Sequence, residues 1–131
     1  MRRICMTVLL LLTLSALIFG AISCKSEEDS VRDYADPATE AMLKGMSDSD
    51  YDQYIEHAND AFKAALTEEM FDLSAAQINS QLGAFKSIEY TSYEEQEGLI
   101  IVHYTATYEK MEVGIRMVFD SDKLIAGQWF E

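Results

Sequence analysis

Few residues in this chain carry side chains suited to chemistry: two cysteines, Cys5 and Cys24, two histidines, His57 and His103, and an alternation of acids at Asp48, Asp50 and Asp52. Only Cys24 stands in a context that assigns its reaction. It closes Ala21-Ile22-Ser23-Cys24, behind the basic start Met1-Arg2-Arg3 and the apolar run Val8 to Phe19. Gly20, Ala21 and Ser23 are small, as a signal peptidase site requires. The competing reading is an uncleaved helix, because Ile4 to Ile22 is just long enough to span a bilayer.

The order of charge, apolar run, small residues and cysteine resembles the lipobox of a prokaryotic lipoprotein. It predicts a signal peptide over 1–23, cleavage before Cys24 and lipid on that residue. The expected location is the cell membrane, on its extracytoplasmic side, with the lipid as anchor. Each buried methylene contributes about 0.8 kcal/mol, so two or more acyl chains anchor durably. Cys5 lies in the segment to be removed, which leaves no disulfide to brace the fold. A hydrophobic core must do that alone.

The acids and histidines assign less. Asp48, Asp50 and Asp52 start like a calcium loop, but the positions for its glycine and closing glutamate hold Gln53 and Asn59. An acid-rich helix start explains them better. Two histidines make no zinc site without carboxylates from elsewhere. No catalytic constellation is visible, so neither enzyme activity, metal nor cofactor is expected. The whole chain carries a formal charge of −13. Loss of Arg2 and Arg3 leaves eight Lys plus Arg against 23 Asp plus Glu, or −15. Such a surface repels nucleic acid and anionic headgroups.

These residues must be positioned by one compact domain. Lys25 to Asp33 is polar and predicts a flexible tether, so 24–34 reads as lipidated cysteine plus tether and 35–131 as the domain. Asp36-Pro37 predicts the start of a short helix that Gly45 stops. Ser47 or Asp48 caps a second helix, whose apolar stripe runs from Tyr51 through Tyr54, Ala58 and Phe62 to Leu66. Thr67 caps a third helix that ends at Gly83. Strands follow over Phe85–Tyr93, Leu99–Glu109, Val113–Phe119 and Lys123–Phe130, with turns at Glu95–Gly98 and Asp120–Asp122. The fold class is therefore α+β, with three helices on one face of a curved four-stranded antiparallel sheet.

With these elements placed, the chain resembles the domain-of-unknown-function 3887 family over roughly 34–131. The likeness rests on Asp50-Tyr51, Ala65-Leu66-Thr67-Glu68, Leu82-Gly83, Tyr104 and the ending Gly127-Gln128-Trp129-Phe130. The resemblance implies a fold similar to nuclear transport factor 2, a cone of helices on a curved sheet. It brings no catalytic residues with it.

Two surfaces are candidates for function. Tyr90, Tyr104, Tyr108 and Met117 would line the cone interior, with Trp129 near its mouth. Leu99, Ile101, His103 and Val118 fall on the outer sheet face, where Ile125 and Trp129 could join them. The leading expectation is a non-enzymatic binding or self-association module, acting through the outer face on a second copy or a protein partner. A small-ligand-binding protein or enzyme using the cone interior is the alternative.

Overall fold

The computed structural model describes residues 25–131. The predicted signal peptide and Cys24 lie outside these residues. The observed class is α+β: helices first, then a four-stranded antiparallel sheet in the order β1-β2-β3-β4. The helices are α1 (Glu27–Ser47), α2 (Tyr51–Ile55), α3 (Asp60–Ala65) and α4 (Glu68–Leu82). The strands are β1 (Phe85–Gln96), β2 (Leu99–Tyr108), β3 (Glu112–Phe119) and β4 (Ile125–Phe130). No helix among the described residues is long and apolar enough to cross a membrane.

The first helix corrects the expected tether and the expected short helix together. It starts at Glu27 and runs through both Pro37 and Gly45. Ser26 caps it by accepting from the Asp29 amide, and Glu27, Glu28 and Asp29 favour the positive end of its dipole. Val31, Ala35, Ala38, Met42 and Met46 then form a buried stripe over 21 residues of helix. Burial of that stripe outweighs the proline penalty of about 3 kcal/mol, and Pro37 itself stays on the exposed side. Gly45 is no stop. A Cβ there would lie 2.7 Å from the Tyr54 backbone nitrogen, so glycine is what lets α2 close onto α1.

The predicted second helix is two helices. Asp50 caps α2 and Asn59 caps α3, each accepting a hydrogen bond from an amide three residues on. Between them the chain runs beside β4. Ile125 donates its amide to His57 O, and the Asn59 amide donates to Ile125 O. This bridge breaks the helical stripe at Ala58. Thr67 and Gly83 bound α4 as expected, with Gly83 at φ +75°.

Among the described residues the sheet has one covered face. Val102, Tyr104, Ala106 and Tyr108 of β2 and Ile115, Met117 and Phe119 of β3 are buried beneath α1, α2 and α4. Glu97 and Gly98, both at positive φ, make the β1–β2 turn. A register shift between Val118 and Phe119 lets Ile125 and Phe130 both face the helices. Ile125 is therefore a core residue, not part of the outer face.

Burial raises the phenol pKa of Tyr54 and of Tyr108 to about 12 each, with the nearby Tyr108 adding to the effect on Tyr54. Tyr104 is also raised, by burial and then by its bond to Asp36. A folded-state value above the unfolded value of about 10 stabilises the fold below that pH and is lost as pH rises through the folded value. The expected outcome of an alkaline titration of the seven tyrosines is that the stability tied to Tyr54 and Tyr108 is lost between about pH 10 and pH 12, their ionisation coinciding with loss of circular dichroism, while Tyr104, raised further, ionises only as the fold opens. Phenolate absorbance recorded beside the dichroism checks it. Seven independent phenols titrating with the fold intact would contradict it.

Candidate functional site

On the outer face the strand register aligns residues that are far apart in the chain. One row reads Glu94, Ile101, Val118, Gly127, and the next Ser92, His103, Arg116, Trp129. Leu99 lies at the hairpin end of β2, opposite Gln96. All five predicted outer-face residues, Leu99, Ile101, His103, Val118 and Trp129, thus share one surface. Ile101, His103 and Val118 are half-buried, while Leu99 is 37% and Trp129 45% exposed.

Trp129 is held in place. Its ring lies over Gly127, where a Cβ would sit 2.2 Å from the Cη2 atom. Arg116 covers the ring from the other strand, with Cζ 4.6 Å from its centroid. The guanidinium also pairs with Glu131, Nε to Oε1 at 3.5 Å. His103 stands between two carboxylates, with Nε2 3.5 Å from Glu94 and Nδ1 3.8 Å from Glu131. Such exposed pairs contribute at most about 1 kcal/mol each. Their effect is positional: they border an apolar and aromatic strip with oriented charges.

The predicted cone-interior residues sit on the opposite face. Tyr104, Tyr108 and Met117 are packed into the core, and Tyr90 is half-buried. Tyr104 donates its hydroxyl to Asp36 Oδ1 at 2.8 Å, and its ring meets Tyr90 edge-on at 6.1 Å. Arg32 lies over the Tyr90 ring at 4.5 Å and donates to Asp36 Oδ2 at 3.0 Å. Trp129 is not at a cone mouth. It points away from the helices, because the register shift in β4 sets Gln128 and Phe130 inward and leaves it outside.

The acidic alternation is spent on structure. Asp48 pairs with Lys44 at 2.7 Å and Asp50 caps α2. His57 contributes its backbone carbonyl to the bridge with β4, and its ring is part-exposed. Cys24, the predicted lipidation site, lies outside the described residues. Sequence reasoning gave no role to Gly127, Arg116, Glu131 or Gln128. For Gly127 a signal was present: a glycine two positions before a tryptophan on one strand face leaves a seat for its ring.

A family model described as "Protein of unknown function (DUF3887)" matches residues 38–127, and the chain belongs to this family. No curated protein and no solved structure matches it.

Replacing Gly127 with Ala should unseat Trp129 while sparing the fold, since the clash is with a ring that can swing outward. The expected cost is about 1 kcal/mol. Trp129 is the single tryptophan of the chain, so its fluorescence reports directly. A red-shifted emission with greater quencher access is expected. An unchanged spectrum would mean the ring has no fixed seat.

Proposed function

We propose that this member of the DUF3887 family is a non-enzymatic module that associates with a second copy of itself through the outer face of its sheet. In this reading it is held at the extracytoplasmic side of a membrane by lipid on Cys24. The observation that carries the association is the seated, half-exposed Trp129. A large aromatic ring pre-organised on a rigid strand loses little entropy on docking. Val118 and Ile101 continue the apolar strip beside it, and Arg116, a residue type favoured at interfaces, is stacked upon it. The strip is aliphatic and aromatic where a solvated sheet face is ordinarily polar.

The arrangement of helices on one sheet face also supports kinship with the cone folds similar to nuclear transport factor 2. The start of α1 at Glu27, three positions after Cys24, bears on the anchor. With lipid on Cys24, only Lys25 and Ser26 separate the anchor from the helix. The domain then sits against the headgroups rather than on a long tether. Its acidic surface favours zwitterionic over anionic lipid there.

Two measurements test these parts separately. Sedimentation of the chain should show concentration-dependent dimers, with Ile101→Glu weakening them at least tenfold, about 1.4 kcal/mol. A strict monomer at high concentration, or association untouched by Ile101→Glu, removes self-association. Cys24→Ser should abolish labelling by a palmitate analogue in cells and release or misprocess the protein. Labelling that persists in this variant would defeat the lipid anchor and leave the uncleaved helix.

A further inference from the structure

The two edges of the sheet are built differently. The order β1-β2-β3-β4 puts β1 at one edge and β4 at the other. β1 carries Lys86, Glu89, Glu94 and Glu95 and is interrupted by two register shifts. Charges and bulges of this kind keep an edge from pairing with another chain. β4 carries no charge and no proline over its six residues, and its register shift lies at Ala126, ahead of Gln128. Trp129 is exposed and Gln128 and Phe130 are half-buried, so this stretch can be reached from outside.

The register says which backbone groups face that edge. Glu131 donates its amide to Gly114 O and so faces β3. Residues of an antiparallel pair alternate between facing the partner strand and facing away. Trp129 therefore bonds to Arg116, its register partner, and Gln128 and Phe130 turn their N–H and C=O groups outward. Ile125 faces outward too, but its groups are taken by His57 and Asn59 from the connection between α2 and α3. The four outward groups of Gln128 and Phe130 have no hydrogen-bond partner among the described residues.

An edge with unpaired groups and no guard is a template for another strand. β4 fits itself. Two copies of Gln128–Phe130 laid antiparallel about a twofold axis set Gln128 of each against Phe130 of the other, which satisfies all four outward groups of both. Trp129 then faces Trp129 of the second copy at a position without hydrogen bonds, where opposed side chains come closest. Both rings lie on the outer face, each seated on its own Gly127. Glu131 falls opposite Gly127, so no like charges meet. Two chains at −13 repel elsewhere, and an uncharged edge is where they can touch.

We propose that β4 pairs antiparallel with β4 of a second copy, joining two four-stranded sheets edge to edge with Trp129 at the twofold axis. The contact does not rest on the packing of outer faces. Ile101 lies on β2, two strands in from this edge, so either contact can be broken alone.

The test follows amide hydrogen exchange in β4 of the full chain, kept in alkyl maltoside micelles. As chain concentration rises, exchange at the Gln128 and Phe130 amides should slow at least about tenfold. The amide of residue 129, bonded to Arg116 in either state, should stay slow throughout and report that the strand is folded. A mixture of labelled and unlabelled chain should show a contact between the α-protons of Trp129 in the two copies. Trp129→Lys sets like charges against each other across the axis and should restore fast exchange at Gln128 and Phe130. Ile101→Glu should leave their protection intact. The proposal is overturned if these two amides exchange fast at every concentration. Protection without the contact between copies overturns it as well, by assigning the edge to a different strand. Protection lost in Ile101→Glu overturns it by assigning the effect to the outer face.

Discussion

Asp36 of α1 accepts the Tyr104 hydroxyl at 2.8 Å and the Arg32 guanidinium at 3.0 Å, and the seating of the helix layer depends on this junction. Tyr104 stands in the middle of the covered sheet face and is almost wholly buried. A hydroxyl in that position needs a partner, and the one it finds belongs to the helix above. Hydrophobic burial brings α1 to the sheet but does not say where along it to rest. The directional bond does. It sets which turn of α1 lies over β2, and through that the positions of Met42, Met46 and the close approach of Tyr54 to Gly45. The second polar crosslink, Tyr54 to Gln128, ties α2 to β4 in the same way across the other end of the layer.

Helices α1 to α4 serve one side of the sheet only, and the two faces consequently carry different kinds of residue. Inward positions are consumed by packing, so the tyrosines of the sheet there are fillers; Tyr104 lends its hydroxyl to a crosslink, while those of Tyr90 and Tyr108 find no partner among the described residues. Outward positions are free of that duty. The seat of Trp129 on Gly127, the stacked Arg116 and the bordering Glu94, His103 and Glu131 all lie on the side that none of the described helices covers. The register shift in β4 separates the two roles within one short strand. It sends Ile125, Gln128 and Phe130 to the helices and Trp129 to solvent.

Much of this architecture was legible from local patterns. The alternation in β2 and β3 predicted both faces correctly, because a one-residue slip would expose Tyr104 and Met117 together. Thr67 and Gly83 bounded α4 through cap chemistry that needs no tertiary partner. Failures came where distant groups decide. Pro37 and Gly45 are punctuation in isolation, yet α1 passes through both because its stripe finds the sheet and α2 finds the gap at Gly45. The stripe from Tyr51 to Leu66 reads as one helix until β4 draws the chain out at Ala58.

The amino-acid sequence by itself determined the fold class, the faces of β2 and β3, the acidic character and the family, since each rests on composition, periodicity or nearest-neighbour chemistry. It also supplies the whole argument for lipid at Cys24, which lies outside the described residues. The tertiary structure alone decided which way β4 faces. It alone placed Trp129 on Gly127 beneath Arg116, and joined the Gln128 side chain to Tyr54. These depend on residues brought together by a register shift and by contacts across the chain. No local pattern encodes them, because the energy of a buried hydrogen bond or a seated ring is set by neighbours that only folding supplies.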